Sequence, residues 1–170
     1  LPRLCGDGAL GSSAKWTLYA LPDGLVALTI RSSMRSDSHD IWPVAYERVM
    51  AMDFDRVREF FLDDLSHEDE DSFRSCVAML EAFTADNSDK SELVEPILAS
   101  IKRTVEHDMV AHQIRAVANF GGAIRGRLPE IDPRLEELEG IWRQRCLLQI
   151  IAKVKPRKAK YIQWAIDAVL

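Results

Sequence analysis

The longest helical pattern in the chain runs from Pro96 to Gly122, and it limits the possible folds more than any other stretch. At 100° per residue, the apolar residues before Asp108 fall on one side of this helix and those after it fall on another. Four polar residues continue the side that was apolar: Asp108, His112, Arg115 and Asn119. The pattern predicts a central helix that bends or breaks near residue 108, or that carries polar groups towards the core.

The four polar residues, called the polar stripe below, follow the spacing i, i+4, i+7, i+11 and therefore share one helical face. Asp108 and His112 lie one turn apart, and a hydrogen bond between them would fix the tautomer of the imidazole and raise its basicity. Arg115 can hold a carboxylate or a phosphate through two hydrogen bonds. The polar stripe therefore predicts a site for a small acidic ligand or an acidic loop. The alternative, which we favour, is a solvated stripe held by pairs within the helix.

The rest of the chain predicts a mainly α fold, a helical bundle of five to seven helices with a small N-terminal β-hairpin. Residues 1–13 are rich in Gly and Ser and are predicted to be a flexible arm. Two β-rich runs flank Pro22-Asp23-Gly24, which predicts a hairpin over residues 14–31. Helical patterns fill residues 41–170, so a single domain is expected overall.

Caps and prolines predict where the later helices begin and end. Residues 85–90 are polar and are predicted to be a loop. Asp132-Pro133 is interpreted as a cap followed by a first-position proline, opening a helix that runs to about Val154. Pro156 ends that helix, and a last helix starts near Arg157. The buried face of the long helix is expected to contain these residues: Leu135, Leu138, Trp142, Cys146 and Ile150.

Composition and charge exclude some classes of protein. No run of 18 apolar residues occurs in the sequence, so no membrane-spanning segment is predicted. Cys5, Cys76 and Cys146 are an odd number without a Cys-x-x-Cys pair, which indicates a reducing compartment, the cytoplasm or nucleus, and no zinc site. The net charge of −5 divides into −10 over residues 1–100 and +5 over residues 101–170, a polarity that suits contact with a partner.

The C-terminal region carries most of the cations that could bind an acidic molecule. They are Arg143, Arg145, Lys153, Lys155, Arg157, Lys158 and Lys160. Tyr161 and Trp164 lie beside them, and cations next to exposed aromatic rings suit single-stranded nucleic acid. A solvated helix junction is the simpler interpretation, and a sequence pI near 5.4 does not suggest a dedicated nucleic-acid protein.

Enzyme and metal signals are weak. The sequence has no Gly-rich phosphate loop and no Gly-x-Ser-x-Gly motif. His39-Asp40 and His107-Asp108 are His-Asp dipeptides of the kind that HD-class phosphohydrolases use, but the further ligands of that class have no counterpart in the expected order. No cofactor and no metal is therefore predicted, and a hydrolase with its site on the central helix is only a third hypothesis.

A short segment, IRAVANFGGAI at positions 114–124, resembles the end of the BH1 region of Bcl-2 family proteins. That family's helical bundle would suit the composition. Where the family has Asn-Trp-Gly-Arg, this chain has Val110, Ala111, His112 and Gln113, so the residues by which the family's groove recognises its ligands are missing. The resemblance covers about a dozen residues, and no functional residue is carried over from it.

The leading hypothesis is a non-catalytic interaction or assembly module that forms a segment of a larger protein or complex. A protein partner or a second copy of the chain is expected, nucleic acid is the alternative partner, and no membrane is involved. The hairpin and the last helix are expected to form the contact surface, through Trp16, Tyr19, Tyr161 and Trp164. Both faces of the hairpin carry large apolar groups, and a lone hairpin of that kind needs a surface to pack against.

Overall fold

The computed structural model describes residues 70–167 continuously, apart from the side chains of residues 70–75 and 78. Before residue 70 it describes only scattered positions, namely 20–22, 25, 47, 51, 55, 58, 59, 62 and 65. The chain forms two compact units, Leu1–Cys76 and Val77–Leu170. The predicted flexible arm and most of the predicted β-hairpin, with Trp16 and Tyr19, lie outside the described residues and stay predictions.

The described residues are mainly helical, as the sequence predicts, and no strand occurs among them. Six α-helices lie within residues 70–167: α1 Glu70–Asp86, α2 Val94–Arg103, α3 His107–Ala118, α4 Leu128–Glu137, α5 Gly140–Gln149 and α6 Lys160–Asp167. Two 3₁₀ turns, Ser91–Leu93 and Gly121–Arg127, precede α2 and α4, and a π-helical turn, Ile150–Val154, extends α5. No helix among the described residues is long and apolar enough to cross a membrane.

The predicted central helix is two helices, because the chain breaks at residues 104–106. Thr104 has an extended backbone with ψ of 131°, and its hydroxyl donates to the carbonyl of Ser100 at 2.9 Å, which occupies one of the free carbonyls at the end of α2. The break explains why the apolar side changes along the sequence, since α2 and α3 each turn their own apolar face to the core. Val105 is one of the apolar residues before Asp108 that the pattern places on a single side of the helix. It lies in the break and is 84% exposed.

Helix α3 is the central element of the second unit. Eight of its twelve residues are buried, and it packs against α2, α4 and α5. A helix that is apolar on most sides belongs in a core rather than on a surface. Gly121, just beyond its end, has φ of +54°, and a Cβ there would lie 3.1 Å from the carbonyl oxygen of Lys153. Glycine therefore both ends this helix and lets the π turn approach closely.

The expectation that Asp132-Pro133 begins a long helix is wrong. Helix α4 starts at Leu128, with Pro129 in its first turn, and Pro133 lies inside it. The chain holds two prolines four residues apart, and the first occupies the position where a missing N–H costs least. The long helix is also interrupted, because Leu138 and Glu139 are extended and Gly140 has φ of +50°.

Several other predictions about the helices are confirmed. Residues 87–89 form a turn after α1, within the predicted loop. Leu135, Leu138, Cys146 and Ile150 are buried as expected, and Trp142 is half-buried. The helix ends before Pro156, where Lys155 takes a left-handed backbone with φ of 53°.

Candidate functional site

The polar stripe of α3 is held against α1 by a residue that the sequence analysis did not select, Glu81. Arg115 donates from Nη2 to Glu81 Oε1 at 2.5 Å, and Nδ1 of His112 lies 3.4 Å from Glu81 Oε2. The three side chains are between 20% and 26% exposed. Arg115 and His112 therefore direct their polar atoms at a carboxylate of the same unit, whereas the favoured interpretation of the sequence was a solvated stripe held by pairs within its own helix.

Electrostatics around Glu81 favour its ionised form. Burial by itself raises the pKa of this carboxyl, but the hydrogen bond with His112 and the charge of Arg115 outweigh burial. The pKa of Glu81 consequently lies below its ordinary value of 4.5. Glu81 is thus ionised near neutral pH, and its charge is compensated by Arg115. This is the arrangement of a structural contact.

Asn119 extends the same contact to a third helix. Its Nδ2 donates to the carbonyl of Glu81 at 2.8 Å and to Thr84 Oγ1 at 3.0 Å, and its Oδ1 accepts from Gln149 Nε2 at 2.8 Å. Asn119 is buried, so these bonds satisfy a polar group that has little access to water. One side chain thereby ties α1, the end of α3 and α5 together.

Asp108 does not belong to this network. Its Oδ1 accepts from the backbone N–H of Met109 at 2.9 Å, and no hydrogen bond joins it to His112 among the residues that the structure describes. The ring of His112 instead packs at 5.7 Å from the ring of Trp142, which in turn has the Arg145 guanidinium 6.0 Å from its centroid. The Asp108–His112 hydrogen bond that the spacing allows is therefore not formed, because His112 turns towards α1 and α5.

The C-terminal aromatic residues are covered, which corrects the expectation of exposed rings. Tyr161 is 1% exposed, and its hydroxyl donates to Asp132 Oδ1 at 2.8 Å. Burial and the neighbouring carboxylate both raise the pKa of Tyr161 above its ordinary value. Trp164 is half-buried and has Arg143 and Lys160 near its ring, at 5.6 Å and 4.6 Å from the centroid. Tyr161 is therefore buried where an exposed ring was expected, and the Trp164 ring is partly covered.

The predicted cations divide into a paired group and an unpaired group. Lys160 forms an ion pair with Asp132, while Arg143 and Arg145 lie against tryptophan rings. The unpaired group, called the basic segment below, spans residues 153–158 and contains Lys153, Lys155, Arg157 and Lys158. All four side chains are exposed, and none forms an ion pair or a hydrogen bond within the part of the chain that the structure describes.

The basic segment begins within the π turn and includes Lys155 in the left-handed conformation. The N–H of Lys155 donates to the carbonyl of Ile150 at 3.2 Å, the i to i−5 bond of a π turn. Positive φ is uncommon in residues other than glycine and costs roughly 1–2 kcal/mol. This turn, together with Pro156, aims four cations outwards from a short and constrained stretch of backbone.

A cavity of about 370 Å³ opens between the basic segment and the 3₁₀ turn before α4. Arg125, Arg157 and Lys158 line it together with the apolar groups of Leu128 and Pro129. Arg125 is positioned by a hydrogen bond from Nε to the carbonyl of Val154 at 3.0 Å. Arg125 was missed by the sequence analysis because it lies about 30 residues from the other two cations, and only the fold brings them together.

The remaining candidate chemistry is absent from the described region. No group of three or more His, Cys, Asp or Glu side chains is placed there to hold a metal ion. Cys76 and Cys146 are both buried and form no disulfide bond with each other. Burial raises the pKa of Cys146 to about 12, so this thiol is a poor nucleophile near neutral pH.

Comparison with models of known protein families, with curated proteins and with solved structures finds no match for this chain. Any function must therefore be argued from the geometry of the chain itself.

Proposed function

We propose that this chain is a non-catalytic interaction module whose basic segment docks an acidic segment of a protein partner. The proposal rests on four exposed cations that have no counter-ion among the residues described by the structure. They lie in a stretch, residues 140–166, that contains no Asp or Glu. A cluster of one charge without internal compensation attracts acidic partners and speeds their association.

Several cations in the earlier helices of the second unit form ion pairs with carboxylates, unlike the four cations of the basic segment. Arg127 is paired with Glu95 and Glu130, Arg134 with Glu137, and Arg115 with Glu81. The positive charge of these cations is neutralised within the chain and is less available to an acidic partner. In this proposal the polar stripe stabilises the fold. The docking surface is the basic segment, in place of the aromatic surface around Tyr161 that the sequence suggested.

The test is binding of a labelled acidic peptide, a repeat of Glu and Ser, measured by fluorescence anisotropy at low and physiological salt. We expect Lys153→Ala/Lys155→Ala to weaken binding about tenfold, the equivalent of ~1.4 kcal/mol. The matched control is Lys90→Ala/Lys102→Ala, which removes the same charge from cations that face Asp89 and Glu130. Equal weakening by both variants would show that net charge alone is responsible, and no binding at low salt would remove the proposal.

Nucleic acid is the second candidate, because the same four cations suit a phosphate backbone. Against it, Tyr161 is buried, and the half-buried Trp164 has Arg143 and Lys160 near its ring, which leaves little ring surface for base stacking. A single-stranded 20-mer of thymidine, added in the same assay, separates the candidates. Tight oligonucleotide binding that falls steeply with salt, without peptide binding, would replace the protein partner by nucleic acid.

A further inference from the structure

The cavity beside the basic segment, called the cationic pocket below, combines charge with an apolar wall. Arg125, Arg157 and Lys158 supply three cations, and no acidic side chain lines the cavity. Leu128, Pro129 and Pro156 supply apolar surface. Its volume of about 370 Å³ lies within the range of small-molecule pockets.

The neighbouring carboxylates are already neutralised by other partners. Asp132 is buried and accepts from Tyr161 and Lys160, and Glu130 pairs with Arg127 and Lys102. The pKa of Glu130 is lowered to about 2 by its hydrogen bonds with these two cations, so it holds them at neutral pH. The cations of the pocket have no such partner in the described part of the chain, and the pocket formed by these residues is therefore electropositive.

Two guanidinium groups and an ammonium group fit a phosphate better than a carboxylate. A phosphate monoester carries about −1.5 to −2 charges at neutral pH and offers three acceptor oxygens. Arginine binds such oxygens through two parallel hydrogen bonds, and the Arg125 guanidinium is already fixed through its Nε while its two terminal nitrogens have no hydrogen bond within the described residues. The apolar wall has no role for free phosphate but suits an ester with an apolar body.

We propose that the cationic pocket binds a phosphate monoester on an aromatic or apolar carrier, of which a phosphorylated tyrosine in the protein partner is the macromolecular form. The phosphate lies between Arg125, Arg157 and Lys158, and the carrier packs on Leu128, Pro129 and Pro156. This inference rests on the proposed function and narrows it, since it names a modified residue as the group that the partner presents. The pocket is distinct from the rest of the basic segment, because Lys153 and Lys155 do not line it.

A charge-neutral block of the pocket provides the sharpest test. Gly126 lines the pocket, and a Cβ placed there meets no atom within 4 Å, so Gly126→Leu adds bulk without backbone strain. Gly122 lies in the same 3₁₀ turn, also has open space around a Cβ and does not line the pocket. We expect Gly126→Leu to weaken binding of phenyl phosphate about tenfold or more, and Gly122→Leu to leave it unchanged.

Charge variants and ligand controls complete the experiment, with binding followed by calorimetry on the full chain. Arg157→Ala/Lys158→Ala is expected to abolish phenyl phosphate binding, whereas Lys153→Ala/Lys155→Ala retains at least half of the affinity. Phenyl sulfate, a monoanion of the same shape, and inorganic phosphate, which lacks the ring, should each bind more weakly than phenyl phosphate. Thermal unfolding of every variant checks that it is folded.

Failure of this inference can be told apart from failure of the proposed function. If Gly126→Leu binds phenyl phosphate as well as the unmodified chain does, or if both double-alanine variants lose it equally, the pocket is not the site. Binding of the acidic peptide through Lys153 and Lys155 would then still stand. If inorganic phosphate binds as tightly as phenyl phosphate, the apolar wall plays no part and the assignment of the ligand is wrong.

Discussion

The polar stripe of α3 and the basic segment at residues 153–158 each place four polar or charged residues close together. They differ in whether the polar atoms of these residues have partners within the described part of the chain. In the stripe, Arg115, His112 and Asn119 bond to groups on α1 and α5. In the basic segment no side chain forms an ion pair with another described residue. The sequence pattern singles out the stripe and the basic segment alike. The hydrogen bonds and ion pairs of the folded chain distinguish them, because the stripe is paired internally and is a structural contact, whereas the unpaired basic segment is a candidate binding surface.

The largest expected effect comes from removing the centre of the stripe network. Glu81→Ala leaves the Arg115 guanidinium half-buried and without its carboxylate, which costs about 2–3 kcal/mol of unfolding free energy. Urea unfolding measures this change, and Glu81→Gln should recover part of it because an acceptor remains. Glu136→Ala, at an exposed position of α4, is the control and should change stability by less than about 0.5 kcal/mol. If Glu81→Ala lost as little stability as Glu136→Ala, the stripe would be a solvated surface and not a structural contact.

Tyr161→Phe is expected to have the next largest effect. The substitution keeps the ring but removes the hydroxyl that donates to buried Asp132, so the carboxylate keeps only Lys160 of its two partners among the described residues. We expect a loss of about 1–1.5 kcal/mol in unfolding free energy. Gln163→Ala, exposed on the same helix, should leave stability almost unchanged. If Tyr161→Phe were neutral for stability but weakened binding of the acidic peptide, Tyr161 would belong to a docking surface.

The pH dependence of stability gives a smaller but directional test. Because the pKa of Glu81 is lowered in the folded state, its contribution is fully present above the unfolded value of 4.5 and is lost as the pH falls through the folded value. The unmodified chain should therefore lose more stability between pH 5 and pH 3 than Glu81→Gln does. The difference between the two curves isolates Glu81 from Glu130, whose lowered pKa acts in both proteins. Parallel curves would contradict the ion pair.

The sequence predicted the helical class and most buried faces because helical periodicity is local. It also predicted that the apolar side changes along the central helix, since that change is visible in the spacing of residues 97–118. A bend or break near residue 108 was one of its alternatives, but the position of the break at residues 104–106 was not predicted, because neither Pro nor Gly marks it and Thr104 ends α2 through a hydroxyl bond to Ser100. Pro133 does not mark the start of α4 as its position after Asp132 suggested, since Pro129 one turn earlier opens the helix.

The candidate site was harder to predict than the fold because its residues meet only in three dimensions. Glu81 lies 34 positions from Arg115, and Arg125 lies 29 positions from the carbonyl of Val154. No pattern within a single helix points across such distances. The basic segment was visible as a run of charge, but which cations lack a partner depends on folded neighbours such as Asp132, which takes Lys160 and leaves Arg157 and Lys158 unpaired.

The smallest expected effect lies in the basic segment, and its sign should be the opposite of that in the stripe. Lys155 has φ of 53°, so Lys155→Gly relieves a left-handed backbone while making the unfolded chain more flexible, for a net gain of about 0.5 kcal/mol. Lys153→Gly removes the same charge from the π turn, where the backbone is helical, and should cost about 0.5–1 kcal/mol. Both variants should bind the acidic peptide more weakly, because each loses one unpaired cation. A gain in stability with a loss of binding at Lys155 would mean that this turn keeps a strained residue for its charge, whereas a clear loss of stability would place Lys155 with Arg115 among the residues that support the fold.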